Sequence, residues 1–168
     1  MWKIKKSKVH GSGIFAIENI KKGTKIIEYV GEKITKKEGD IRSERRLRRY
    51  LNSKKTGSVY IFELNSKYDI DGSFLYNKAR FINHSCNPNC EVQIEKGRIW
   101  IVSIKNIKKN FELSYDYGYD FDKDDFKDHI CRCGYKNCIG YIISSDDISK
   151  YKKYLSKSKT NERFNRKQ

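Results

Sequence analysis

The sequence predicts one β-rich α+β domain, built from small sheets and a few short helices. Three observations carry that reading. The chain has 168 residues, the length of a single domain. Short apolar or alternating runs recur between turns marked by glycine and lysine, the signature of strands. Only two segments carry a helical pattern, and Pro88 is the only proline. Hydrophobic residues make up 37% of the chain, enough to bury a core and to exclude a disordered polyelectrolyte.

In chain order, Gly13-Ile14-Phe15-Ala16 reads as a strand running on to Ile17. After a Lys22-Gly23 turn, residues 26–30 read as the next strand, and residues 58–64 alternate cleanly. Residues 91–94 and 98–102 flank Glu95-Lys96-Gly97 and form a predicted β-hairpin. Residues 111–115 are one more strand candidate. A helix is expected over 41–51, rich in Arg and Leu with a thin apolar stripe. A second is expected over 145–155, with Ser145 as N-cap and Asp146 and Asp147 in the first turn. Ile148, Tyr151 and Leu155 would share its buried face. Ile17-Glu18-Asn19-Ile20-Lys21-Lys22 is echoed by Ile104-Lys105-Asn106-Ile107-Lys108-Lys109. The echo reads as two equivalent turn-then-strand units arising by chance similarity of two lysine-rich turns.

Charge is unevenly spread. Lys and Arg number 37 against 21 Asp and Glu, a net charge of +16. Basic residues dominate 36–54, and 150–168 holds eight Lys and Arg against Glu162 alone. Between them lie Glu112, Asp116, Asp120, Asp122, Asp124, Asp125 and Asp128, relieved only by Lys123 and Lys127. A basic surface attracts nucleic acid or anionic lipid, but charge runs are as often solvated faces or frayed tails. No apolar run is longer than a few residues, as in 99–102, which leaves no membrane-spanning helix. Met1-Trp2-Lys3-Ile4-Lys5-Lys6 has no apolar stretch behind it, unlike a secretory signal. Five cysteines in that context point to an intracellular, reducing compartment, where clustered thiols bind metal more often than they pair.

Cys131-x-Cys133-x4-Cys138 is the strongest spacing signal. Three thiols so close can wrap one tetrahedral zinc, which needs a fourth ligand. Cys86, Cys90, His84 and His129 are all available, and nothing local chooses among them. The run Arg80-Phe81-Ile82-Asn83-His84-Ser85-Cys86-Asn87-Pro88-Asn89-Cys90 is dense in polar groups and reads as a site rather than packing. A thiol-protease reading fails because no feature prepares a thiolate or an oxyanion hole. Glu112-Leu113-Ser114-Tyr115-Asp116-Tyr117-Gly118-Tyr119 sets tyrosines on alternate positions, which a strand would project to one face.

Taken together and in this order, these runs resemble the SET-domain family of protein lysine methyltransferases. His10-Gly11-Ser12-Gly13-Ile14-Phe15-Ala16 matches the family's first motif, Glu28-Tyr29-Val30-Gly31-Glu32 the second and Tyr60-Ile61-Phe62 the third. The Asn83-His84-Ser85-Cys86 and Glu112-Leu113-x-Tyr115-Asp116-Tyr117 motifs follow, and the Cys131–Cys138 run looks like a post-SET zinc segment. The match covers about residues 8–143 and closely resembles the histone H3 methyltransferase branch. It implies a SET fold of small twisted sheets, short helices and a knot-like C-terminal segment. The corresponding domains are 8–120 for SET, 121–143 for the zinc segment, and 144–168 for a C-terminal helix and basic tail. One departure is Asn110-Phe111 where the family has Gly-Glu. Asparagine tolerates the left-handed turn that glycine supplies.

The resemblance implies S-adenosyl-L-methionine as methyl donor and a structural Zn²⁺. His10, Gly11, Ser12 and Gly13 would line the methionine end, Tyr60, Asn83 and His84 would complete the cofactor site, and Arg132 would cover the adenine. Cys86 becomes the fourth zinc ligand beside Cys131, Cys133 and Cys138, leaving Cys90 a small buried residue. Tyr117, Tyr29 and Tyr115 are the expected catalytic tyrosines around a lysine channel. The implied partner is a basic lysine-bearing protein such as a histone tail, in a nucleus of the cell or of a host. Weak nucleic-acid contact through the 150–168 tail is expected, and no membrane. The competing expectation is a catalytically silent zinc-and-basic module that binds nucleic acid or chromatin.

Overall fold

The computed structural model describes residues 1–53 and 60–165. Ser58 and Val59 of the strand expected over 58–64, and residues 166–168 of the basic tail, lie outside them. Two compact units divide the chain: Met1–Asn83 with Pro88–Tyr115, and His84–Asn87 with Asp116–Gln168.

In the first unit, β1 (Trp2–Lys6) pairs antiparallel with β2 (Ser12–Ala16), Trp2 opposite Ala16 and Lys6 opposite Ser12. Further along come β3 (Lys25–Tyr29), β4 (Glu32–Thr35), α1 (Lys36–Ser53), β5 (Ile61–Glu63) and β6 (Tyr68–Asp71). After β7 (Asn83–His84), β8 (Cys90–Glu95) and β9 (Arg98–Ser103) form a hairpin, and β10 (Ser114–Tyr115) ends the unit. Two three-stranded antiparallel sheets result, in the orders β3-β9-β8 and β4-β6-β5. This is the β-rich α+β architecture expected. Its core is Ile14, Ile82, Ile99, Ile101 and Leu113, all at most 1% exposed.

The hairpin expected at 91–102 is present, because Lys96 (φ 50°) and Gly97 (φ 74°) both adopt the left-handed conformation of a tight turn matched to strand twist. The two echoed segments pair with each other. Ile20 and Ile107 exchange both backbone hydrogen bonds at 2.8 Å. Asn19 Oδ1 accepts from Lys109 N and Asn106 Oδ1 from Lys22 N, each at 2.9 Å. Equivalent residues thus do equivalent work on both sides. Strands β1, β4 and β6 were not legible, since lysines and aspartates interrupt their apolar periods. The 111–115 strand shrinks to β10, with a single bridge from Glu112 to Phe15.

Helix α1 starts five residues earlier than the sequence suggested, with Thr35 Oγ1 accepting from Glu38 N at 3.3 Å. Its apolar stripe is thin because it docks through charge. Arg46 forks onto Asp71 at 2.9 and 2.8 Å, and Arg42 reaches the same carboxylate at 2.8 Å. Asp71 is fully buried. Burial opposes its charge, but Arg46, Arg42 and Ser73 outweigh that and hold the carboxyl well below the usual range. Gly39 is needed in the helix, because a Cβ there would lie 2.3 Å from Asp69 Oδ2.

The second unit packs Phe126, Ile143 and Tyr151 into a core edged by Phe121, Tyr141, Tyr154 and Leu155. Its helix α2 (Ile148–Asn165) follows a 3₁₀ turn at Ser145–Asp147. That turn moves the cap one residue back from the expectation: Ser144, not Ser145, accepts from Asp146 N. Asp147 accepts from Phe121 N at 2.9 Å and pairs with Lys150 at 2.6 Å. Among the described residues no helix is long and apolar enough to cross a membrane.

The Asp71 network generates a test. Arg46→Ala half-unpairs a buried carboxylate and should cost about 3–5 kcal/mol in urea unfolding at neutral pH. Because the folded carboxyl is depressed, its contribution is present above the unfolded value of about 3.9 and is lost as pH falls through the folded one. The penalty should therefore shrink in acid. An Arg46→Ala variant as stable as the parent at neutral pH would contradict this.

Candidate active site and metal centre

In the first unit, one carboxylate organises the turn between β1 and β2. Leu113, fully buried and bonded N to Ile14 O at 2.7 Å, fixes the backbone beside Glu112. Glu112 Oε1 then accepts from Asn83 Nδ2 at 2.7 Å and Ser7 Oγ at 2.8 Å. Asn83 Nδ2 also faces Ser12 O at 3.1 Å and His10 O at 3.4 Å. The turn carrying His10, Gly11 (φ 47°) and Ser12 is thereby pinned from below while His10 and Gly11 stay exposed. Gly13 owes its identity to this carboxylate, since a Cβ would meet Glu112 Oε1 at 2.2 Å. Asn110 takes the expected left-handed conformation (φ 71°) and donates N to Ala16 O at 2.8 Å, so the turn survives without glycine. Ser7 was missed as a site builder; Glu112 stood in the sequence as the head of the Glu-Leu-x-Tyr-Asp-Tyr motif and as part of the acidic run, without a role of its own.

Tyr29, 3% exposed, donates its hydroxyl to Tyr60 O at 2.9 Å. Its ring lies 5.0 Å from Phe62, which lies 5.9 Å from buried Tyr115. Gly72 lets Tyr29 sit there: a Cβ would be 2.2 Å from Tyr29 Cε1. Gly72 N also donates to Tyr60 O at 2.9 Å, and Asn77 Nδ2 holds Gly72 O at 3.0 Å. Arg80, unassigned from sequence, lays its guanidinium 4.2 Å from the Tyr60 ring centroid and donates to Ser73 O. Its Nε is buried without a hydrogen-bond partner among the described residues. Such an orphan donor marks a place for an acceptor.

In the second unit, His84 is 4% exposed. Its Nδ1 accepts from Tyr117 N at 3.2 Å, which leaves the proton on Nε2, 3.5 Å from Cys86 Sγ. Burial keeps the imidazole neutral by lowering its pKa, against the pull of Asp116. Tyr117 packs against His84 at 5.4 Å and Tyr119 at 5.9 Å between ring centroids. The alternate tyrosines do not share a strand face, because regular structure stops at Tyr115 and Gly118 (φ 70°) turns the chain. Arg132 is exposed.

Of the four candidates for a fourth ligand, Cys86 is the one whose thiol groups with the other three. Cys86, Cys131, Cys133 and Cys138 bring their Sγ atoms within 4.8 Å of one another, with Cys86 3.7 Å from both Cys131 and Cys138. Sulfurs around a tetrahedral zinc at about 2.3 Å are about 3.8 Å apart, so the four thiols fit that ion. His84 Nε2 is placed to donate to one of them, as outer partners of metal ligands do. Gly134 (φ 71°) and Gly140 (φ 86°) bend the loop, and Gly140 N donates to Cys138 Sγ at 3.3 Å. Burial and the neighbouring thiols push Cys86 up, and burial pushes Cys131 to about 12. For Cys133 burial is outweighed by backbone N–H groups of Cys86 and Tyr135, bringing it to about 7. Cys90, 1% exposed, stands apart as a buried small residue, its thiol pushed up to about 12 mainly by burial.

The model of the SET domain matches residues 11–118. The chain belongs to the SET-domain family. It is 38% identical over 141 residues to "Histone-lysine N-methyltransferase, H3 lysine-4 specific" of Aspergillus oryzae, covering 82% of this chain and 11% of that protein. The protein of that name in Saccharomyces cerevisiae is 37% identical, covering 82% of this chain and 13% of its own length. "Histone-lysine N-methyltransferase set-2" of Caenorhabditis elegans is 38% identical over 147 residues, covering 84% and 9%. The chain therefore spans only a small part of the length of the curated relatives it matches. SET methyltransferases use S-adenosyl-L-methionine. Cys86 lies inside the matched SET domain and Cys131, Cys133 and Cys138 beyond it, and the cluster is compatible with a post-SET zinc motif.

Two thiols held protonated must lose their protons to bind metal, so zinc uptake should release protons and tighten as pH rises. Cys138→Ser should lose stoichiometric zinc by metal analysis of reduced protein, and Cys90→Ser should keep it. Full zinc in Cys138→Ser, or loss in Cys90→Ser, would overturn the ligand assignment.

Proposed function

We propose that this SET-domain chain is an S-adenosyl-L-methionine-dependent protein-lysine N-methyltransferase acting on a histone or similar basic protein. The observation that carries the reading is its 38% identity to proteins named histone-lysine N-methyltransferases, joined to unbroken tyrosine and Asn-His-Ser-Cys motifs. Bound S-adenosyl-L-methionine supplies a methyl group activated by its sulfonium.

The first unit contributes the pinned turn of His10, Gly11, Ser12 and Gly13, with Asn83 beneath it and Tyr60 beside Arg80, to hold the cofactor. The orphaned Arg80 Nε supports this, because a carboxylate is the acceptor a buried guanidinium donor lacks. From the second unit His84 and Arg132 are the proposed cofactor contacts, and Cys86, Cys131, Cys133 and Cys138 the zinc ligands. Tyr29, Phe62 and Tyr115 make an apolar wall with hydroxyls at its edge. Such surroundings favour a neutral substrate amine over an ammonium, bringing a lysine down from about 10.4. No strong base is then required. Tyr29 orients the amine through a hydroxyl already fixed by Tyr60 O, and Tyr117 orients the transferring methyl. The acidic side chains of 116–128 form the attractive wall for a basic peptide, and a chromatin substrate puts the protein in a nucleus, its own or a host's.

The test is methyl transfer to an H3-tail peptide, read by mass spectrometry, beside Tyr117→Phe. Transfer by the parent and at least a hundredfold loss in Tyr117→Phe are expected. Binding of S-adenosylhomocysteine without transfer to any histone or lysate protein would favour the silent module.

The product should be mainly monomethyl-lysine. A phenol at 115 can hold a water in the space an attached methyl would need, and displacing that water without replacing its hydrogen bonds is unfavourable. Tyr115→Phe should shift a single-lysine peptide towards higher methylation; predominant trimethylation by the parent at limiting time would contradict it. The 150–168 tail is proposed to touch nucleic acid. Deletion of 157–168 should spare free peptide and slow transfer on nucleosomes, whereas equal loss on both substrates would refute that role.

A further inference from the structure

Leu75 is 71% exposed, Tyr76 60% and Phe74 38%. Three consecutive large apolar side chains on one surface loop differ from the scattered apolar residues of ordinary surfaces. The loop is firmly held. Asn77 N donates to Phe74 O at 3.1 Å, Asn77 Nδ2 to Gly72 O at 3.0 Å and Lys78 Nζ to Leu75 O at 2.8 Å. Arg80 holds Ser73 O. The rings of Phe74 and Tyr76 lie 5.3 Å apart and only 12° from parallel, an exposed stacked pair.

The surroundings are cationic. Arg46 Nη2 reaches Ser73 Oγ at 2.8 Å, which sets this stretch of α1 against the base of the loop. Within 45–49 and 73–80 stand Arg45, Arg46, Arg48, Arg49, Lys78 and Arg80, without one acidic residue. Arg45, Arg48 and Arg49 are exposed. The buried Asp71 nearby is already saturated by Arg42 and Arg46, and Glu44 at the far edge pairs with Arg48.

We infer that this ridge binds single-stranded nucleic acid, the bases stacking on Phe74 and Tyr76 and the phosphates meeting the α1 arginines. Stacked aromatics beside a basic track are the sequence-tolerant way of holding a single strand, and arginine forks suit phosphate oxygens. A duplex keeps its base faces covered, and an acidic protein segment would use the charge but leave the rings without a matching surface. The inference is independent of methyl transfer.

Fluorescence anisotropy with a labelled 20-nucleotide oligo-dT, and with a duplex of equal length, tests it over a salt series. The single strand should bind more tightly than the duplex. Phe74→Ala/Tyr76→Ala should weaken it at least tenfold without changing the salt slope. Arg45→Ala should flatten that slope by about 0.7, one phosphate no longer neutralised. Thermal unfolding and free-peptide methylation should stay at parental levels in both variants. Equal oligo-dT affinity for the parent and the aromatic variant would overturn the inference. So would preference for the duplex, or displacement of oligo-dT by an equal amount of polyglutamate, which would mark an acidic protein partner.

Discussion

The carboxylate of Glu112 is the constraint on which the first unit's candidate site depends. Residues far apart in sequence meet on it: Ser7 before the β1–β2 turn, Asn83 at the start of the polar run, and Gly13 with no room for a side chain. A hydrogen bond to a charged group is worth about 1.5–3 kcal/mol, so these bonds together can hold a turn whose own residues include two glycines. Asn83 extends the hold to the His10 and Ser12 carbonyls. Leu113, Asn110 and Ala16 fix the backbone that presents the carboxylate. The exposed turn is thus ordered from its buried side, which leaves its outer side available to a ligand.

The second unit uses a parallel device around sulfur. His84 accepts from the Tyr117 backbone with one nitrogen and faces Cys86 with the other. A metal on the four thiols would therefore fix Cys86, and through the imidazole the backbone of Tyr117. Buried Asp71 plays the corresponding part for α1, gathering Arg42 and Arg46 onto one carboxylate. In each case a polar group with more than one partner does what an apolar stripe does elsewhere.

That preference explains what could be read in advance. The β8–β9 hairpin was legible because Lys96-Gly97 is flanked by clean apolar runs, and the thiol cluster because Cys131, Cys133 and Cys138 lie close in sequence. The tyrosine and Asn-His-Ser-Cys motifs were legible through their order along the chain. Nothing local distinguished Cys86 from Cys90; the family resemblance singled it out, and the fold brings its thiol to the other three. The start of α1 was hidden by Gly39, whose reason is Asp69 across the packing, and its thin stripe concealed a charged underside. Ser7 was invisible as a site residue, and Glu112 and Arg80 stood inside their runs without a role, because those roles come from long-range contacts and, for Arg80 Nε, from a donor with no partner among the described residues. The Ser145 cap was displaced by a 3₁₀ turn that composition does not announce.

Calorimetric titration of S-adenosylhomocysteine into the parent, Glu112→Gln and Glu112→Ala tests the central role of this carboxylate most directly. Glu112→Gln keeps an acceptor for Asn83 and should bind close to the parent. Glu112→Ala leaves Ser7 and Asn83 without their shared partner and should bind at least about tenfold more weakly, ~1.4 kcal/mol, while thermal unfolding shows the protein still folded. Equal affinity for all three proteins would contradict the account.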